Sequence, residues 1–416
     1  MDSTRQDVAT AVSTGNSLRE LVQDTIRRLQ QGDIGALPVV LALVLIVIIF
    51  QIANRHFLTP VNIANLMVQI SATGTIAVGV TLVLLIGEID LSVGAVSGLT
   101  AGVMAVLSAK AGLPGTVAVL AGIVAGVLIG LLQGFWFAKL HVPSFVVTLA
   151  GYLGWQGALL FVLGSTGTVN LNDPLITGIA NTRLPVIIGW ALGVAFVVVY
   201  AVSLFRGRQQ RIKLGMEVRP VVAALAQVVL MVVAVLVAIY ILNINRNPIP
   251  TGVPIQGVPS AVLFLLGFVV LFDWITRRTP FGRYVFAVGG NVEAARRAGI
   301  NVDRIRIATF ALCSGLAACG GILAGSRLLA VNQSSGSGDV LLNAIAAAVI
   351  GGTSLFGGRG STWSALLGAL VIGSIANGMD LLAFASSIKF MVTGAVLLLA
   401  VTLDAYTRSR RQLTGR

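Results

Sequence analysis

Twelve apolar runs recur along this chain, each close to the ~20 residues that an α-helix needs to cross a hydrocarbon layer. They fall at about 35–53, 61–87, 91–109, 114–138, 145–164, 184–205, 219–242, 258–276, 305–329, 340–357, 362–379 and 386–405. In lipid a backbone must satisfy its own polar groups, which a helix does. The expected fold is therefore an all-α polytopic membrane protein with about 12 transmembrane helices. A mean hydropathy of +0.94, with 10% charged residues, agrees.

The net charge of +13 could suggest a nucleic-acid binder. Its placement argues otherwise, because the Lys and Arg residues sit in short loops between apolar runs and so report topology. With the amino terminus inside, Lys139, the 206–219 and 277–306 loops, Arg359 and the tail all become cytoplasmic. That assignment places 22 of the 28 Lys and Arg residues on the inner side and predicts that both termini are cytoplasmic. Aromatic residues make up only 6%, and no basic tract is interleaved with stacking rings, so no nucleic acid is expected as partner.

The first 34 residues read as a polar cytoplasmic leader, with an amphipathic helix over Ser17–Leu29 and no cleavable signal peptide. Residues 35–405 form the membrane domain, and 406–416 a basic cytoplasmic tail. Two external connections, GSTGTVNLNDPLITGIANTRLP and NINRNPIPTGVPIQGVP, read as ordered turns able to touch a soluble partner. Cys313 and Cys319 share one helix, about 9 Å apart along its axis, and are expected to be small packing residues, not a disulfide.

The largest interruption of the apolar pattern is RRTPFGRYVFAVGGNVEAARRAGINVDRIR, residues 277–306. Seven arginines against Glu293 and Asp303 mark it as cytoplasmic. Its middle predicts a short amphipathic helix from Asn291, stopped by Gly299. The segment reads as a docking surface, with a purely topological basic loop as the plainer alternative.

Other residues carry weaker signals. Glu88 and Asp90, in LLIGEIDLSVGAVSG, are carboxylates close to the centre of apolar sequence, where a charge is expensive. They fall at a helix break, so capping of the next helix by Asp90, at the Ser92 and Val93 amides, outweighs ligand binding. Asn65, Gln69, Ser71, Thr73, Asn343 and Asn377 are uncharged polar residues within spans. With Glu88, Asp90 and Ser92 they make a provisional translocation pathway, although each polar side chain could instead bond helix to helix. Gly122, Gly126, Gly130 and Gly134 line one helix face for close packing, within one bundle or between subunits. No phosphate loop, HExxH or CxxC is present, and no Ser/His/Asp set can be assembled. No catalytic residue, metal ligand or cofactor is therefore expected.

Four blocks together resemble one family: GEIDLSVG at 87–94, GRYVFAVGGNVEAARRAGINV at 282–302, LLNAIAAAVIGGTSLFGGRGS at 341–361 and ANGMDLL at 376–382. The chain is similar to permeases of bacterial ATP-binding-cassette (ABC) sugar importers of the ribose and xylose branch, a type II ABC importer-like permease, from about residue 60 to 405. Xylose-type members share its additional helix pair near 184–242. The resemblance implies a coupling helix at Asn291–Gly299, with Glu293, Ala294 and Ala295 matching its EAA element and Arg296, Arg297 and Gly299 following. It also implies a twin-cassette ATPase, an extracytoplasmic sugar-binding protein, a second permease copy and a monosaccharide, most directly D-xylose. Localisation would be multi-pass in the plasma or inner membrane. The rival readings are an ion-coupled secondary transporter, a permease for another sugar such as ribose, and a membrane enzyme acting on lipid.

Overall fold

The structure, a computed structural model, describes residues 37–413 apart from 217, 219, 220, 250 and 251. The leader, with its expected Ser17–Leu29 helix, and the last three residues of the tail lie outside the described residues. The chain divides into two compact units, Leu184–Val258 and the remainder of the described residues.

Each of the twelve apolar runs forms a helix. In the larger unit these are α1 (Leu37–Ala53), α2 (Pro60–Leu85), α3 (Val93–Ala109), α4 (Gly115–Lys139) and α5 (Ser144–Leu163). After a three-residue strand β1 (Thr168–Asn170) comes the short helix α6 (Pro174–Asn181). The smaller unit holds α7 (Val186–Lys213) and α8 (Val221–Asn243). The larger unit resumes with α9 (Ser260–Arg278), α10 (Pro280–Gly290), α11 (Val292–Arg297) and α12 (Val302–Leu328). Strand β2 (Ala330–Asn332), α13 (Gly338–Ile350), α14 (Thr362–Leu381) and α15 (Ser386–Leu413) complete it. Eight of the apolar helices are long enough to cross a membrane, while α1, α3, α13 and the apolar part of α15 are shorter.

Helix α12 forms the centre, packed along α4, α2 and α3. Small residues let it do so. A Cβ on Gly126 would lie 2.8 Å from the Ser314 carbonyl oxygen, and one on Gly130 only 2.4 Å from that of Phe310. All four α4 glycines are buried, three of them against α12, so this face serves contacts inside the bundle. Hydroxyls buried in α2 are satisfied locally, with Ser71, Thr75 and Thr81 each donating to the carbonyl four residues back, at 2.7, 2.7 and 2.9 Å.

Two helices start inside the bundle. The 13 residues of α13 span about 20 Å, well short of the ~30 Å hydrocarbon layer. Its approach segment, 333–337, lies against the first turns of α3, where a Cβ on Gly336 would sit 2.1 Å from the Gly94 carbonyl oxygen. Helix α3 in turn begins level with the middle of α12, since Asp90 faces Cys313 and the Ser97 backbone touches Gly321. Cys313 is buried and acts as a packing residue beside that carboxylate.

Strands β1 and β2 pair antiparallel, Thr168 with Asn332, and bury Val169 and Val331. The connection expected to consist of turns therefore contains a strand and a helix. Asp173 caps α6 by accepting from the Leu175 and Ile176 amides, at 2.8 and 3.1 Å. In the smaller unit, α7 packs on α8 through Gly193 and Ile239.

The α4–α12 contact makes a direct prediction. Gly130→Val should destabilise the protein by about 1–3 kcal/mol through overpacking, lowering the melting temperature measured in detergent. Gly207→Ala, within α7 and with nothing inside 4 Å of the new Cβ, should not lower it.

Candidate functional site

At one end of the larger unit, α10 and α11 form a surface built from local capping. Thr279 accepts from the Gly282 amide at 3.3 Å and starts α10. Asn291 ends it and accepts from the Ala294 amide at 2.9 Å to start α11. Gly299, with φ of +82°, closes α11: its amide donates to the Arg296 carbonyl at 3.0 Å, and the Ile300 amide to Ala295 at 3.1 Å. This double bond with a left-handed residue is the Schellman stop. Asn291, Glu293, Ala294, Arg296, Arg297 and Gly299 are all exposed, while Ala295 is buried in the main core and anchors the helix. Arg296 and Glu293 pair at 3.2 Å in solvent, which adds little stability. Gln-free and short, the six-residue α11 thus presents a charged outer face on an apolar foot.

Beside that foot, α10 meets two other segments at close backbone contacts. A Cβ on Gly289 would meet the Leu85 carbonyl oxygen at 1.7 Å, so only glycine allows α10 to lie there. The same carbonyl accepts from the Gly358 amide at 2.9 Å. The end of α10, the end of α2 and the glycine-rich loop 351–361 therefore meet at one point. From it the segment 86–92 runs inward to the start of α3.

Glu88 and Asp90 are spent along this segment. Glu88 accepts from the Ser144 hydroxyl at 2.6 Å and pairs with Arg306 at 3.4 Å. Arg306 also lies over the Phe137 ring, 4.5 Å from its centroid. Asp90 accepts from the Ser92 amide at 2.8 Å and the Ser92 hydroxyl at 2.6 Å. Capping thus reaches Ser92 but not Val93, because the carboxylate engages the hydroxyl as its second donor. Ser92 Oγ also lies 3.0 Å from the buried Gln133 amide. With that amide turned so that its NH2 donates to Ser92, the serine proton serves Asp90 Oδ1, while Asp90 Oδ2 has no hydrogen-bond partner among the described residues.

The other expected pathway residues are dispersed. Asn65 is exposed on α2, and Gln69 and Asn343 are half-buried. Asn377 is buried on α14 and exchanges bonds of 2.7 and 3.0 Å with Asn62 of α2, which joins the two helices. Sequence reading did not single out Asn62, although its place in the first turn of an apolar helix was a signal.

A cavity of about 260 Å³ lies where α3 and α13 begin. Ala72, Thr73 and Ile76 of α2 line one side, and Ser97, Gly98 and Ala101 of α3 another. The end of α12, β2 and the 332–340 segment close it, bringing in Asn332, Ser334, Ser335, Ser337 and Asp339. Thr73 alone had been marked from sequence. Of its other polar residues, Ser334, Ser335, Ser337 and Asp339 lie in SSGSGD, between two apolar runs, while Ser97 lies on α3 and Asn332 on β2.

Residues 62–401 match the family described as branched-chain amino acid transport system / permease component. The chain is 37% identical to the xylose transport system permease protein XylH of Escherichia coli K12 over 383 residues, 92% of this chain and 94% of that protein. Identity to XylH of Haemophilus influenzae is also 37%, covering 92% and 99% of the two chains. It is 32% to the ribose import permease protein RbsC of Escherichia coli K12, covering 88% and 92%. No solved structure matches.

The Glu88–Arg306 pair is testable without knowing a ligand. Arg306→Met leaves a buried carboxylate with one hydroxyl partner and should cost roughly 1–3 kcal/mol, seen as a lower melting temperature. Adding Glu88→Gln should recover part of that loss. No recovery would mean that Arg306 acts only through its packing on Phe137.

Proposed function

The chain belongs to the branched-chain amino acid transport system / permease component family, and from that premise we propose that it is the non-catalytic membrane subunit of an ATP-driven importer of D-xylose. The α11 surface faces the cytoplasm and receives a separate ATPase subunit, as a twin cassette. The opposite end, with β1, β2 and α6, receives a sugar-binding protein. Two copies of the chain form the complete membrane part, in the plasma or inner membrane. Likeness to the two xylose permeases supports the sugar. Ribose is the second reading, supported by the 32% relative.

The observation that carries the mechanism is the backbone junction of Gly289, Leu85 and Gly358. A push on α11 reaches α10 through the single linking residue Asn291 and passes to the end of α2. It goes on along 86–92 to the start of α3, whose Ser97 and Gly98 wall the cavity. Nucleotide binding in the partner biases two packings of this chain, and the sugar moves as the cavity changes sides. The ion-coupled rival finds less to use here: Glu88 is held by Arg306 and Ser144, and Asp90 by Ser92.

Expression with its ATPase and binding protein should give ATP-dependent D-xylose uptake into proteoliposomes. Glu293→Arg and Gly299→Trp should leave membrane insertion intact and reduce uptake per ATP hydrolysed by about tenfold or more. The first reverses a charge on the docking face, and the second places a large side chain at a left-handed position. Normal uptake in both variants would remove α11 from the coupling role. Uptake that an uncoupler abolishes at constant ATP would favour an ion-driven carrier.

A further inference from the structure

We propose that the cavity between α2, α3, β2 and α13 binds one neutral polyhydroxy ring, so that the membrane subunit itself discriminates among sugars. This rests on the reading of the chain as a monosaccharide permease and adds a recognition site to it.

The unspent polar groups carry the argument. Three hydroxyls of α2 donate to the carbonyl four residues back, but Thr73 has no partner among the described residues and faces the cavity. The side-chain oxygen of Asn332 is taken by the amide and hydroxyl of Ser334, at 3.0 and 2.8 Å, and its NH2 has no partner among the described residues. Ser337 donates to one oxygen of Asp339, and the other has no partner among the described residues. The cavity thus offers a hydroxyl, a two-proton donor and a carboxylate acceptor, the mixture that adjacent sugar hydroxyls require. Ile76, Ala101, Val331 and Val340 supply an apolar wall for the C–H face of a ring.

Charge and size narrow the ligand class. No Lys, Arg or His lines the cavity, so an anionic ligand would meet Asp339 without a counter-charge. A divalent cation would find one carboxylate where such ions gather several oxygen ligands. At about 260 Å³ the space falls below the ~300–1,000 Å³ of drug-sized sites, which fits a single ring.

The test is equilibrium dialysis of radiolabelled D-xylose against the full chain in lipid nanodiscs, paired with ATP-dependent uptake by the assembled transporter. Wild type should bind saturably at one site per chain. Asp339→Asn should weaken binding by about tenfold or more, since a bond to a charged acceptor is lost. The same variant should improve competition by the acid D-xylonate, which a purely structural role for Asp339 would not do. Ala101→Phe should fill the cavity and abolish binding, Thr73→Val should weaken it at unchanged melting temperature, and Gln227→Ala in α8 should do neither. Absence of saturable binding by wild type, or full binding by folded Thr73→Val and Asp339→Asn, would overturn the proposal. If the wild-type complex imports D-xylose and Ala101→Phe imports it equally, the cavity assignment fails and the importer reading stands. If the wild-type complex imports no monosaccharide, the importer reading itself fails.

Discussion

In hydrocarbon a backbone amide or carbonyl that leaves a helix has no water to turn to, and this constraint governs the centre of the protein. The chain breaks helical structure inside the bundle twice, before α3 and before α13. Each break packs against other parts of the bundle. The segment before α3 is held by Asp90, Ser92 and Gln133, and the one before α13 rests on the first turns of α3 through Gly336. Asp90 has a structural role here: its Oδ1 accepts from the Ser92 amide and hydroxyl where the ladder of backbone bonds stops. The cavity is a consequence of the same two breaks, because two helices that start at mid-bundle leave unfilled space between their first turns.

In the proposed coupling, a surface element acts at a distance through the same economy of side chains. Side-chain contacts can slide or repack, whereas glycine backbone against glycine backbone leaves few alternatives. At the junction of α10, α2 and the 351–361 loop the touching atoms belong to Gly289, Leu85 and Gly358, with Gly87 and Gly357 beside them. Arg277, paired with Asp273 at 2.7 Å and bonded to Ser361 at 3.2 Å, ties α9 to the start of α14. Lys139 and Asp303, at 2.9 Å, do the same for α4 and α12. This end of the larger unit is braced as a block, and the cavity lies away from it, among thinner and more polar walls.

Much of this was legible in the sequence. Period and length of the apolar runs located all twelve helices, although α7 and α15 run on about eight residues further and α13 stops about seven short of its run. Asn291 and Gly299 marked α11 because capping is a local rule, and the four glycines of α4 marked a packing face. Three features were not legible, each for a physical reason. Strands of three residues, TVN and AVN, are too short to show alternation. The α3 and α13 starts depend on contacts between segments more than 200 residues apart in sequence, which no local pattern encodes. Among polar residues in spans, sequence cannot separate Asn377, spent on Asn62, from Thr73, left open to the cavity, because the difference lies in the partner.

The central claim is that α11 and the glycine junction move as one piece relative to the cavity. Electron paramagnetic resonance on the assembled transporter tests it most directly, with spin labels on paired cysteines in a background lacking Cys313 and Cys319. The account predicts that the distance between Ala298→Cys and Arg359→Cys stays constant between nucleotide-free and ATP-bound states. The distance between Ala298→Cys and Gln333→Cys, beside the cavity, should change by roughly a few Å. A shift in the first distance with the second unchanged would show that α11 moves alone, and the account would be wrong.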